Sequence, residues 1–219
     1  MTLGPCSQEE NRAQHKSLRL GVMGRPAKHS EAGILHVAGQ LVSERGPAAT
    51  TVTAISEALG APSGSIYHRF RTRDELLGKL WLSKARLFQG RAESALKAPD
   101  AKRAALAAAL SILDTAREDM VGARIMLLYR REDFFVPGWP ASMKREAERL
   151  GQQVNVMIGQ TTRRLFGRST TSARQAVRFA VLEAPVAAIK SYVASGEAFP
   201  DTTYDLIRKV FDAAIDEPS

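Results

Sequence analysis

Cysteine and histidine are scarce in this chain of 219 residues. The one cysteine, Cys6, has no second thiol with which to form an internal disulfide. All four histidines lie in the first third, so the remainder lacks an imidazole or thiol for a catalytic triad or zinc site. Paired acids such as Glu132 and Asp133 leave acid–base catalysis as an alternative, although neighbouring acids on a helix are usually solvated. We therefore expect neither an enzyme nor a bound metal or cofactor.

Long apolar runs are also lacking. No segment approaches the length of a membrane-spanning helix, and the N-terminus has no apolar core of a signal peptide. We therefore expect a cytoplasmic protein with no membrane partner. Acids are missing from residues 11–30, and the formal net charge of +8 makes a polyanion the first partner to consider. The basic residues of this stretch are Arg12, Lys16, Arg19, Arg25 and Lys28.

The chain divides into a leader and a helical body. Residues 1–28 show no periodicity and predict a disordered basic leader, in which Met23 is an alternative start. From His29 onward the apolar spacing is helical, with no strand-like alternation. The sequence therefore predicts an all-α protein. A three-helix module at 29–75 is joined through a long helix to a larger helical bundle within 76–219.

Two helices are predicted at the start of this body. The first has apolar residues at helical spacing and ends at Gly46. Thr51 is the predicted N-cap of the second, and Gly60 suits the left-handed position just past its end. The apolar positions are Ile34, Ala38 and Leu41 in the first helix and Val52, Ile55 and Leu59 in the second.

A very short third helix and a long fourth helix follow. Ser63 is the predicted N-cap of the third, in which Ile66 and Phe70 share an inward face. Thr72 and Glu75 have the spacing of a capping box that opens a helix to about residue 96. Proline- and glycine-containing breaks then predict helices near 101–118, 120–133, 141–166, 171–195 and 202–216.

Two short helices joined by a tight glycine-containing turn predict a helix-turn-helix, whose second helix enters the DNA major groove. The inward apolar residues would leave a polar set outward. Hydroxyl groups in that set can bind phosphates or base edges, and Gly64 permits a close backbone approach. Arg73 and the basic leader would add attraction that does not depend on base sequence. The outward residues are Ser63, Gly64, Ser65, Tyr67 and His68.

The run "TTVTAISEALGAPSGSIYHRFRTRDELL", with "AGILHVAGQLVSERG" before it, resembles the N-terminal DNA-binding domain of TetR-family transcriptional regulators. The resemblance covers roughly residues 29–80. It implies a backbone contact by Thr51 and Val52 at the start of the second helix.

The same resemblance assigns roles to the third helix and the residues after it. Ser63 and Ser65 occupy positions that read bases, and Tyr67 and His68 occupy positions that contact phosphate or bases. Arg73 replaces the usual Lys, which meets a phosphate. Arg69 departs from the commoner His or Tyr, so the resemblance assigns it no role.

The resemblance further implies a homodimer on a palindromic operator, released by a small-molecule effector that binds beyond residue 80. Candidate interface positions lie on the last two helices, although the same faces would equally complete the monomer core. Pro185 should bend the first of these two helices. The interface candidates are Val177, Val181, Ala184, Ala188, Leu206 and Val210, with Ile189, Ile207 and Phe211 beside them.

A ligand pocket is expected among apolar, aromatic and methionine residues of the larger domain, because such linings adapt to small ligands. Core packing is the competing interpretation of each residue. The expected effector is small and mainly hydrophobic. An alternative function is a helical architectural or adaptor protein with the same DNA-binding module and no ligand switch. The pocket candidates are Trp81, Phe88, Met120, Met126, Tyr129, Phe134 and Met143.

Overall fold

The structure is a computed structural model that describes residues 30–134 and 138–216. These residues contain α-helices and no strand, which confirms the predicted all-α fold. The leader, with Arg25 and Lys28, lies outside the described residues. The helices are α1 (Glu31–Ala49), α2 (Val52–Leu59), α3 (Ser63–Tyr67), α4 (Arg73–Ala95), α5 (Ala101–Glu118), α6 (Met120–Leu128), α7 (Ala141–Phe166), α8 (Thr171–Arg178), α9 (Ala184–Ser195) and α10 (Thr202–Asp216).

Local capping sets the ends of α1 and α2. Gly46, at φ +81°, interrupts α1 at the predicted stop, and one further turn follows it. The Thr51 hydroxyl accepts a hydrogen bond from the Ala54 N–H at 3.1 Å, which confirms the predicted N-cap. Gly60 ends α2 in the left-handed region at φ +63°, also as predicted. The turn between α2 and α3 is therefore specified by its own residues.

Two capping predictions differ from the structure. Ser63 is the first residue of α3 and not its cap, because the N-cap position is taken by Pro62. Thr72 does cap α4 by accepting from the Glu75 N–H at 3.0 Å. The Glu75 carboxylate, however, accepts from the N–H of Arg71 at 3.0 Å, one residue before the position that a capping box requires.

Three of the later predicted helices coincide with α5, α7 and α10, but two are interrupted. Tyr129 is extended at ψ 147°, so α6 ends at Leu128 and a separate 3₁₀ turn covers Arg131–Asp133. The predicted helix 171–195 contains a π-helical segment, Phe179–Glu183, between α8 and α9. Pro185 follows this segment and has no N–H to donate to a carbonyl one turn back. The irregularity therefore lies about one turn before the proline, whereas the sequence predicted a bend at the proline itself.

A continuous core joins the N-terminal helices to the rest of the molecule. Side chains from α1 to α4 share one buried cluster with Ile125 of α6, Phe134, Trp139, and Met143 of α7. The helix α4 packs against α1 on one side and against α5 and α7 on others. The first core therefore extends past residue 75, where the sequence suggests a domain boundary.

The α4 helix meets the loop before α7 at a glycine. A Cβ atom at Gly78 would overlap Cε2 and Cζ2 of the Trp139 indole and lie 2.6 Å from Met143 Cε. The indole thus lies directly on the α4 backbone, one turn before Trp81. Arg164 of α7 donates to the Ala98 carbonyl at 2.6 Å, just beyond the other end of α4. The helix α7 and the loop before it therefore pack on α4 at Gly78, and a hydrogen bond joins α7 to the connection that follows α4.

The last three helices pack with α5, α6 and α7 in two further buried clusters. The predicted interface residues Val177, Val181 and Ala184 are buried inside the monomer, with Val177 in one cluster with Phe211. For these positions the core interpretation describes the structure, because the three side chains are buried within one copy of the chain. The Tyr204 hydroxyl donates to Asp114 of α5 at 2.8 Å, and burial together with this bond raises the pKa of Tyr204 to about 12.

Candidate DNA-binding surface and internal cavity

The short helix α3 has one buried face and one accessible face. Ile66 and Phe70 are each 1% exposed, whereas Tyr67 is 53% exposed. Gly64 and His68 are also exposed, whereas Ser63 and Ser65 are half-buried. The structure therefore brings Ser63, Gly64, Ser65, Tyr67 and His68 to the accessible part of α3 and its end, as the sequence predicts.

The start of α2 offers backbone groups to DNA. Val52 is 7% exposed and packs into the first core, so its side chain faces away from solvent. The exposed Thr51 uses its hydroxyl as the helix cap. A contact to DNA at these two positions would therefore be made through main-chain N–H groups, which helix starts present to phosphates.

Two arginines after α3 are exposed. Arg69 donates from Nη1 to the Ser65 carbonyl at 3.1 Å, which places its charge over the last turn of α3. The side chain of Arg71 is exposed beyond it. Cations near a helix C-terminus interact favourably with the helix dipole, and they also extend the basic surface beside the accessible face.

Arg73 has a different environment from the one predicted. Its guanidinium donates to three main-chain carbonyls at the end of α1 and just after it: Pro47, Ala48 at 3.3 Å, and Thr50 at 2.7 Å. Its Nη1 also pairs with Asp74. The guanidinium therefore joins the start of α4 to the end of α1, and the phosphate contact assigned to it by resemblance has no support in this geometry.

Arg73→Ala is expected to destabilise the protein by about 1.5 kcal/mol, the low end for hydrogen bonds to a charged group, because the side chain is partly exposed. Operator affinity should fall without a change in its salt dependence. Arg71→Ala is the matched control. It should leave stability unchanged and reduce the slope of log K against log[salt] by about 0.9, one phosphate contact. Urea unfolding and anisotropy titrations at several salt concentrations measure both. A reduced slope in Arg73→Ala would restore the phosphate assignment.

A cavity of about 430 Å³ lies between α4, α5, α6, α7 and the π segment with α9. This volume is within the range of small-molecule sites. Trp81, Phe88 and Met126, three of the seven predicted pocket residues, line it. The other lining residues are Ala85, Gln89, Ala92, Ala108, Ile112, Leu127, Arg131, Ala147, Leu150, Gly151, Val154, Met157, Ile158, Val181, Leu182 and Val186.

Four predicted pocket residues lie elsewhere. Phe134 and Met143 are buried in the first core, where Met143 packs against Gly78. Tyr129 places its ring beside Gly46 at the end of α1, and Met120 packs in the core formed with α9 and α10. Large apolar side chains at these positions fill interhelical space. The helices α4 and α5 contribute the small residues Ala85, Ala92 and Ala108 to the cavity lining, and Ala108 belongs to the alanine-rich run 104–109.

The outer face of the last helices exposes apolar side chains. Phe179 of the π segment is 45% exposed and Leu206 of α10 is 53% exposed. Ala187 on α9 is also exposed, whereas the predicted Ala188 and Val210 are half-buried. Because α10 packs against both α9 and the π segment, these exposed positions lie on neighbouring elements.

Within 30–134 and 138–216, no helix is both long enough and apolar enough to span a bilayer. The same residues contain no group of three or more His, Cys, Asp or Glu side chains placed to hold a metal ion.

Comparison with known proteins identifies the N-terminal module. Residues 34–80 match the family described as bacterial regulatory proteins, tetR family. No curated protein matches the sequence.

Solved structures of regulators share the fold over 85% of this chain. FadR from Bacillus subtilis, solved with stearoyl-CoA, is 14% identical with a TM-score of 0.65, covering 85% of this chain and 98% of FadR. PfmR from Thermus thermophilus is 19% identical with a TM-score of 0.65, at 85% and 95% coverage. The ketosteroid regulator KstR2 of Mycobacterium tuberculosis is 16% identical with a TM-score of 0.58, at 85% and 93% coverage. The chain thus matches the tetR-family model over residues 34–80 and has the fold of solved TetR-family transcriptional regulators.

Proposed function

We propose that this protein is a cytoplasmic, ligand-responsive transcriptional repressor, not an enzyme, that binds a palindromic operator as a homodimer. A small, mainly hydrophobic effector releases it. The observation that carries the proposal is that one helix, α4, shares the buried core that holds Ile66 and Phe70 of the short-helix region and also lines the apolar cavity. A ligand in the cavity therefore contacts the element that positions the DNA-binding surface.

Release by ligand follows from a population shift between two arrangements of the dimer. In one arrangement the two α3 helices lie about one DNA turn apart, roughly 34 Å, and fit successive major grooves. A ligand that binds the other arrangement about 100-fold more tightly changes the equilibrium by about 2.7 kcal/mol, within the usual range of allosteric coupling. Trp81, Phe88 and Ala92 lie on the side of α4 that lines the cavity. A ligand that fills the cavity therefore contacts α4 and can change the position of this helix.

The dimer contact is proposed on the outward faces of the π segment, α9 and α10. Phe179, Ala187 and Leu206 are exposed there, in contrast to the buried residues of the same helices. A two-fold contact of these faces would bury apolar surface from both copies in one patch. This replaces the interface of Val177, Val181 and Ala184 that the sequence pattern suggested.

Leu206→Asp is expected to raise the dimer dissociation constant at least about tenfold, because an unpaired carboxylate would be buried at the contact. Val156→Asp on α7 is the control, since Val156 is also 53% exposed but lies on another helix. Sedimentation velocity across a micromolar concentration series measures the change. Equal dissociation constants for the two variants would place the interface elsewhere.

Selection of bound fragments from the source genome by the purified protein, at near-physiological salt, tests the proposal. Enrichment of one palindrome supports a dimeric, sequence-specific regulator, and direct titration then tests whether effectors lower its affinity. Uniform, strongly salt-dependent binding would contradict the proposal and favour the architectural alternative, since such binding rests on phosphate contacts alone.

A further inference from the structure

The exposed part of the cavity lining can be located from residue exposure. Among the described residues that line it, only Arg131 and Gly151 are exposed. They are neighbours across the gap between the 3₁₀ turn and α7, because Arg131 Nη1 would lie 3.7 Å from a Cβ atom at Gly151. The guanidinium therefore lies over a helix position without a side chain, at the mouth of the cavity.

The interior is of opposite character. Its described lining is aliphatic, aromatic and methionine side chains, apart from Gln89 and Arg131. Arg131 is the one formally charged residue in that lining, and it lies at the mouth. The Gln89 amide is half-buried and lies near Glu93 and the Met157 sulfur, at 3.4 and 3.9 Å. The formal charge of the described lining is thus at the mouth, whereas the neutral Gln89 amide lies beside Met157.

We propose that the cavity takes an elongated amphipathic anion, whose apolar body fills the interior and whose terminal carboxylate or phosphate pairs with Arg131 at the mouth. The inference rests on the proposed function for its biological meaning, but it concerns binding alone. A planar guanidinium forms two parallel hydrogen bonds to such a head group, which an alcohol or an ammonium group cannot reproduce. The apolar interior gains from burial of the chain.

Neighbouring charges restrict the source of the attraction. Glu132 and Asp133 follow Arg131, and the Asp133 carboxylate accepts from the Arg130 N–H at 2.8 Å. With Arg130 and Arg131 included, this turn carries two cations and two acids, so it has no net positive charge. The preference for an anion should therefore depend on the Arg131 guanidinium itself and be lost with it.

Calorimetric titration with decanoate, decyl phosphate, 1-decanol and decylammonium, each below its aggregation concentration, tests the proposal. The wild-type protein should bind decanoate or decyl phosphate about tenfold more tightly than 1-decanol, a modest gain for hydrogen bonds to charged groups. The better of these two anions identifies the head group. Decylammonium should bind most weakly. Equal affinity for the anions and the alcohol would overturn the proposal, as would no binding of any decyl probe.

Substitutions at the mouth of the cavity test whether the preference for anions depends on Arg131. Arg131→Gln should bring the anions to the affinity of 1-decanol and leave the alcohol within about twofold. Gly151→Asp adds an acid beside the Arg131 guanidinium, and it should also lower the affinity for the anions relative to that for 1-decanol. Arg149→Gln is the control, because Arg149 is exposed on α7 and is not a lining residue. A preference that persists in both mouth variants would overturn the assignment.

Operator titrations with the same probes separate this inference from the proposed function. Anion preference accompanied by operator release supports both. Anion preference with unchanged operator affinity supports the binding inference and contradicts the switch. Operator release by 1-decanol as effectively as by decanoate supports the switch and overturns the head-group inference.

Discussion

Phe70→Ala is expected to lower the free energy of unfolding by about 3–5 kcal/mol, the usual cost of truncating a fully buried phenylalanine. Phe70 is 1% exposed, and Lys79 Nζ lies 5.0 Å from the centroid of its ring. The helix α3 has only five residues and cannot be stable by itself, so Ile66 and Phe70 hold it in place. Operator binding should be lost together with stability, and urea unfolding and fluorescence anisotropy measure the two effects.

Tyr67→Ala is the matched control for this experiment. Tyr67 is an aromatic residue of similar size at the end of α3, three residues before Phe70, but it is 53% exposed. Its truncation should change stability by no more than about 0.5 kcal/mol, as is usual for surface positions. Operator affinity should still fall, by about 1–3 kcal/mol if the side chain contacts a base. If both variants lost the same stability, the division of α3 into a core face and a DNA face would be incorrect.

Gly78→Ala is expected to destabilise the protein, although alanine normally favours a helix by about 1 kcal/mol. The new Cβ atom would displace the buried Trp139 ring from the α4 backbone, and overpacking of this kind costs about 1–3 kcal/mol. Trp139 is 3% exposed, so its displacement should shift tryptophan emission to longer wavelength. Thermal unfolding and emission spectra measure the effect.

Gly90→Ala provides the comparison within the same helix. Among the described residues nothing lies within 4 Å of a Cβ atom at Gly90, so this substitution should raise stability by up to about 1 kcal/mol. The two variants make the same chemical change in α4, but we expect Gly78→Ala to lower the stability of the protein and Gly90→Ala to raise it. Stabilisation in both would show that Trp139 is not held against α4.

Much of the fold was predictable because its determinants are local. Thr51, Gly60 and Thr72 act on helix ends within four residues, and apolar spacing marks helices wherever one face is buried. The π segment was not predictable in this way. Its widened turn lies in the core between α5 and α10, so the position depends on helices distant in sequence.

The candidate DNA-binding surface could be predicted from the sequence to a greater extent than the cavity could. The faces of α3 follow from the four-residue spacing of Ile66 and Phe70, whereas the environment of Arg73 depends on carbonyls 23 or more residues away. A cavity is the space that remains unfilled between packed helices, and the packing of these helices cannot be read from the local sequence pattern. Large apolar residues such as Phe134 consequently indicated the core, and small residues such as Ala108 marked the space.

The continuous first core also limits how this protein can be divided. A fragment ending at residue 75 would leave Ile34, Ile55 and Phe70 without their partners on α4, α6 and the loop before α7. A chimaera that grafts the first 75 residues onto another effector domain would need that domain to supply an indole and aliphatic groups at matching positions. The N-terminal module and the domain that holds the cavity are therefore interdependent parts, and a change in the proposed operator specificity is better attempted by substitution on the accessible face of α3 than by exchange of domains.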